Sequence, residues 1–138
     1  MKTIADIMTR QVESVAPSDN IQRAAELMRS SDVGMLPVTD GKKLVGVITD
    51  RDICIRAVAD AKEPNITYVQ TIMSKDVVSC PPDTEIRKAV DMMSQHQIRR
   101  LMIVDQNQEL VGVIAQADVA RDKSLNEQSE RLVENVSQ

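Results

Sequence analysis

The chain, 138 residues long, is written almost twice. Ile7-Met8-Thr9 returns as Ile72-Met73-Ser74, Pro17 as Pro82, Ile21 as Ile86, Ala24 as Ala89, Met28 as Met93 and Val33 as Ile98. After one inserted residue, Leu44-Val45-Gly46-Val47-Ile48 returns as Leu110-Val111-Gly112-Val113-Ile114, and Asp52 returns as Asp118. A copy of about 50 to 60 residues is marginal on its own, so the copies should fold against each other. Duplication predicts a two-fold-like assembly with paired clefts, and positions where the copies differ mark a site that one has and the other lacks.

Each copy opens with a short amphipathic turn (Ile4, Ile7, Met8 in the first) and an extended piece, residues 12–15 and 77–79, that stops at a proline. A helix follows, signalled by Pro17-Ser18-Asp19 and Pro82-Asp83-Thr84, with Asp19 and Gln22 spaced for a capping box. Ile21, Ala24, Ala25 and Met28 recur with helical spacing, as do Ile86, Ala89, Val90 and Met93. Two strands come next, residues 33–38 and 43–49, then 99–104 and 109–115. Asp40-Gly41 is a two-residue hairpin signal, and the longer turn at 105–108 offers Asn107 for positive φ. A last helix opens near Asp50 and near Gln116. The order is strand, helix, strand, strand, helix twice over, an α+β (mixed α/β) fold of two βαββα units at residues 4–60 and 69–122. Residues 61–68, with Pro64 and Asn65, read as a linker. In the polar tail at 123–138, Leu125, Leu132, Val133 and Val136 are spaced as a weak amphipathic helix, either a frayed extension of the last helix or a dimer contact.

Hydrophobic residues make up 42% and charged residues 28%, a globular balance. The apolar runs are strand-sized and no signal-peptide pattern is read from residue 1 onward, so a cytoplasmic location without a membrane is the default expectation. A net charge of −4 argues against a nucleic-acid surface. Cys54 and Cys80 are expected as free thiols. With Tyr68 the only aromatic, eight Met and many branched aliphatics must fill the core. His96 has no metal-ligand spacing around it, and no nucleophile with a base, paired carboxylates or Walker-type loop occurs, so neither a metal site nor catalysis is expected.

Chemistry concentrates in Gly46-Val47-Ile48-Thr49-Asp50-Arg51-Asp52, where a strand meets a helix. Free N–H groups at a helix start favour anions, Gly46 permits close approach of a backbone or ligand, Thr49 can donate, and Asp52 can accept from two ribose hydroxyls. Thr49-x-x-Asp52 is equally a capping box, which needs no ligand. In the second copy Ala115 and Asp118 stand there, so the acid stays and the hydroxyl goes. A second asymmetry sets Arg99-Arg100 against Gly34-Met35. Two adjacent arginines at a strand start point to opposite faces, where one could offer a fork to phosphate or both could be solvated.

These residues resemble the tandem cystathionine-β-synthase (CBS) domain pair, or Bateman module. The likeness rests on Ala5-Asp6-Ile7-Met8-Thr9, Pro17, Met35-Leu36-Pro37-Val38-Thr39-Asp40 and the stretch from Leu44 to Asp52. It returns in Ile72-Met73-Ser74, Pro82, the run from Ile98 to Asp105 and that from Leu110 to Ile114, covering residues 4 to about 122. The resemblance implies a stand-alone regulatory module, two units packed through their sheets with two clefts, pairing as a homodimer. Its ligands would be AMP, ADP, ATP, NAD or S-adenosylmethionine, and its state would be read by an unidentified regulated protein. It further implies that Thr49 and Asp52, with Asp50 between them, hold ribose and phosphate, and that Arg99 and Arg100 reach the phosphate from the other unit. Val12 and Val77 would flank the adenine, and Asp118 is the equivalent acid of the second cleft. Cross-pairing then gives one complete cleft and one depleted by Ala115, Gly34 and Met35. Departures from the family pattern are Ala115 and Met102, where proline is usual. A constitutive dimerisation or interaction module with vestigial clefts is the competing reading.

Overall fold

Why Ile4 and Ile72, each in the lead-in of its repeat, are apolar becomes clear from where they are buried. In the computed structural model, which describes residues 2–121, the chain forms two compact units. One is continuous, Glu13–Val77; the other is discontinuous, joining the N-terminus through Val12 to the chain from Val78 onward. Val69 and Ile72 of the second repeat lie fully or almost fully buried in the core of the continuous unit, beside Val15, Ile21, Ala24, Leu36, Val38 and Ile48. Ile4 of the first repeat is fully buried in the discontinuous unit with Ile86, Met93, Leu101, Ile103 and Ile114. Each repeat therefore completes its core with the other's lead-in. The tail beyond Arg121, with its helical spacing, lies outside the described residues.

In the continuous unit, helix α1 (Ile21–Ser31) precedes strands β1 (Met35–Asp40) and β2 (Lys43–Thr49). The strands pair antiparallel. Val15 adds a parallel bridge to Val38, and Ser74 an antiparallel bridge to Val47. Helix α2 (Asp50–Ile53) runs on as a π-helical turn, Cys54–Val58, closed by the Ala59 amide donating to the Cys54 carbonyl at 3.0 Å. The discontinuous unit repeats the plan. Strand β3 (Ser79–Cys80) lies parallel to β4 (Arg100–Val104), which pairs antiparallel with β5 (Leu110–Ala115), and Thr9 bridges antiparallel to Val113. Helices α3 (Ile86–His96) and α4 (Gln116–Arg121) complete it. Short 3₁₀ turns, Ile4–Asp6 and Val69–Thr71, form the lead-ins.

Local chemistry moves several boundaries from their sequence positions. Asp19 does not cap α1: its carboxylate accepts from the Ala16 amide at 2.8 Å, and Asn20 caps instead, accepting from the Arg23 amide at 2.8 Å. The Thr67 and Pro64 carbonyls accept from the Ile21 and Gln22 amides, so residues 61–68 help satisfy the free donors of the α1 N-terminus. In the longer hairpin Asp105 accepts from the Asn107 and Glu109 amides, and this shifts the positive φ to Gln108 (63°) rather than Asn107. Gly41 takes φ 66° in the shorter one. Both thiols are free, Cys54 exposed and Cys80 buried.

Gly46 and Gly112 owe their identity to the same crossing. A Cβ at Gly46 would lie 2.7 Å from the Ser74 carbonyl oxygen and 2.9 Å from Met73 Sδ. At Gly112 it would meet Met8 Sδ at 2.7 Å and the Thr9 carbonyl oxygen at 3.0 Å. The close approach expected at Gly46 is thus a backbone, that of the exchanged lead-in. Gly46→Ala is expected to cost about 1–3 kcal/mol in urea unfolding, as overpacking does. Ile72→Ala, although in the other repeat, should destabilise the continuous unit by about 2–5 kcal/mol, read by hydrogen exchange of the β1 and β2 amides.

Candidate functional site

Strand β2 must end where its last residue turns into α2, and Thr49 and Asp52 make that turn. Thr49 Oγ1 accepts from the Asp52 amide at 3.0 Å, and Asp52 Oδ2 accepts from the Thr49 amide at 2.9 Å. The capping box is therefore formed. It engages a lone pair of the hydroxyl and one carboxylate oxygen, leaving the hydroxyl proton and Asp52 Oδ1 to do something else. Arg56 approaches that oxygen to 3.8 Å and donates to the Ile72 carbonyl at 3.3 Å, one turn along the helix. Asp50 turns back: its carboxylate accepts from the Arg51 amide at 2.8 Å and lies 2.9 Å from where a Cβ of Gly34 would stand. The Asp50 amide in turn donates to the Gly34 carbonyl at 2.9 Å. The exposed Asp50 carboxylate thus lies over the place where a side chain at position 34 would start.

The equivalent turn of the discontinuous unit has different partners. Ala115 has no hydroxyl, but its amide still donates to Asp118 Oδ2 at 2.7 Å. Asp118 Oδ1 faces the Thr9 hydroxyl at 3.5 Å and forms an ion pair with Arg121. Arg99 and Arg100 lie at this same turn: the Gln116 amide donates to the Arg99 carbonyl at 3.0 Å, and Arg100 pairs with Ala115. Neither guanidinium makes a hydrogen bond or ion pair among the described residues. Of the residues singled out in the sequence, the fold thus gathers Thr49, Asp50 and Asp52 in one unit and Arg99, Arg100 and Asp118 in the other. Val77, half-buried, ends the continuous unit, and Val12, half-buried, closes the first stretch of the discontinuous one. Thr9, Arg56 and Arg121 were not anticipated. The one sequence signal was the return of Thr9 as Ser74, a hydroxyl kept through both copies.

A cavity of about 800 Å³ lies elsewhere in the discontinuous unit, at the far end of β4 from Arg100, lined by Cys80, Pro81, Pro82, Asp83, Asp105 and Asn107 among others. Its charged groups are carboxylates, which disfavour a phosphate. Burial pushes the Cys80 thiol above its ordinary pKa, only partly offset by a hydrogen bond from Thr84 and by the charge of Lys88. With the folded pKa raised, this thiol favours folding below the unfolded value of roughly 8.5, and that contribution is lost as pH rises through the folded pKa. Alkaline unfolding should therefore be less steep above pH 8.5 in Cys80→Ala than in the native chain. Among the described residues no three His, Cys, Asp or Glu side chains gather as a metal site, and no helix is long and apolar enough to cross a membrane.

Known proteins carry the same pattern. The CBS domain family model matches residues 4–58 and 69–124. CBS domain-containing protein YhcV of Bacillus subtilis is 42% identical over 99% of this chain and 96% of its own. The crystal structure of Hypoxic Response Protein I with two coordinated zinc ions is 33% identical, covering 88% of this chain and 98% of that one, with a TM-score of 0.77. The CBS domain pair of protein MJ0100, solved in complex with 5′-methylthioadenosine and S-adenosyl-L-methionine, is 26% identical over 87% of this chain and 98% of that one, with a TM-score of 0.74. Both halves of the sequence repeat are matched and the fold is shared, so the chain belongs to the CBS domain family as a tandem pair of such domains.

Proposed function

We propose that this chain is a regulatory module that binds an adenosine-containing ligand at the Thr49–Asp52 turn and passes its bound state to a partner protein. The observation that carries this reading is the uncommitted chemistry of that turn: a hydroxyl proton on Thr49 and an open Oδ1 on Asp52, whose side chain is 14% exposed. Two ribose hydroxyls can donate to such a carboxylate while the capping bonds stay intact. The adenosyl ligands of the MJ0100 domain pair support the ligand class. AMP, ADP, ATP, NAD and S-adenosylmethionine share the adenosine group. The family pattern gives the phosphate to Arg99 and Arg100, whose guanidiniums are without partners among the described residues, and the adenine to Val12 and Val77. One site per chain is expected, since Ala115 lacks the hydroxyl of Thr49. The module acts by population shift, the ligand favouring the arrangement it binds better, in the cytoplasm and as a homodimer.

A second reading, constitutive association without a ligand, draws on the exposed apolar side chains Ile55, Val58, Ile66 and Tyr68 of the continuous unit, each about half exposed or more. Thermal unfolding separates the two, because a ligand held only by the folded state raises the midpoint, by about 2.7 kcal/mol of stability at a hundred times Kd. A shift is expected with at least one of AMP, ATP, NAD and S-adenosylmethionine; no shift at millimolar concentrations favours association alone. Isothermal titration of Asp52→Ala should then show at least a tenfold loss of affinity. Arg99→Ala with Arg100→Ala should weaken AMP while leaving adenosine unchanged, and equal losses for both would remove these arginines from the phosphate.

A further inference from the structure

The two turns of this chain carry the same aspartate, yet they dispose of it differently. Asp118 Oδ2 is taken by the Ala115 amide, and Oδ1 by Arg121 with the Thr9 hydroxyl on its other flank. Its side chain is 5% exposed, against 14% for Asp52. Asp52 has the same backbone bond from Thr49, but its Oδ1 has only Arg56 at 3.8 Å, beyond hydrogen-bond distance. Ser74, the residue matching Thr9, bridges to Val47 through its backbone and makes no side-chain bond to Asp52.

We infer that Thr9 and Arg121 are specificity-determining residues: together they lock the Asp118 carboxylate and so confine ribose recognition to the Asp52 turn. A ribose diol needs a carboxylate oxygen with open lone pairs. Oδ2 of Asp118 carries the same single backbone bond as Oδ2 of Asp52, but its Oδ1 is taken by Arg121, so a ligand would have to displace a charge-assisted bond at a buried carboxylate to use that oxygen. The absence of a hydroxyl at Ala115 weakens the second turn but does not by itself take away the carboxylate acceptor for the diol. The lock does. It also depends on the exchange of lead-ins, since Thr9 reaches Asp118 only because residues 3–9 fold into the discontinuous unit.

The lock rests on the reading of the Asp52 turn as a ribose site, and the test keeps the two apart. Titration of the full chain with AMP and, separately, S-adenosylmethionine should give one site. Thr9→Val with Arg121→Gln and Ala115→Thr should give two, and adding Asp52→Ala to that variant should return it to one. Thr9→Ser, which keeps the hydroxyl, should retain single-site binding. A native chain with two sites, or an unlocked variant still at one, overturns the inference. A native chain that binds neither probe fails the function proposed above; the lock is then judged without ligand. Asp118→Asn should lower the thermal midpoint by at least about 3 °C more than Asp52→Asn, because it removes the negative charge that Arg121 pairs with directly, whereas Arg56 stays 3.8 Å from Asp52. Equal shifts overturn the lock. This comparison also serves if the unlocked variant does not fold.

Discussion

The packing of Ile4 and Ile72 into cores that their own repeats do not otherwise build is the interaction on which the rest of the structure depends. Each lead-in contributes a 3₁₀ turn, a buried aliphatic and one bridged residue at a sheet edge, Thr9 on Val113 or Ser74 on Val47. The edge contact demands a residue without a side chain beneath it, and this is why Gly46 and Gly112 stand at matching places in strands where glycine otherwise weakens pairing. The methionines Met73 and Met8 lie over those glycines, their flexible thioethers filling an irregular space that a branched side chain could not.

Much of this was legible in the residues. The hairpin strands, the apolar faces of α1 and α3 and the free thiols follow from spacing and composition, because the 3.6-residue and two-residue periods are enforced by one-sided burial. The family assignment, too, was carried by the doubled motifs. What escaped was set by side chains that choose among neighbouring backbone donors. Asn20 and Asp19 are both able caps, and only the turn after Pro17 decides which is free to serve. The positive φ moved to Gln108 because Asp105 first claimed two amides. The exchange itself left no trace in periodicity, since an apolar lead-in reads alike whichever core receives it.

At the candidate site the choice between a cap and a ligand dissolves once atoms are counted. The box at Thr49 and Asp52 takes one function from each side chain and leaves one. A helix start can therefore be held rigid by the same residues that meet a ligand, and rigidity of that kind lowers the ordering cost of binding. Gly34, which reads in the sequence as a missing basic residue, lies in the structure beside the exposed Asp50 carboxylate.

The discontinuity of one unit also imposes an order on events during synthesis. Glu13–Val77 has every part of its core once Ile72 has emerged, so it can close while the remainder is still being made. The first dozen residues cannot. Thr9 must wait for Val113, about a hundred residues later, and contacts of such sequence separation are slow to form. Until then Ile4 is an apolar residue without its core.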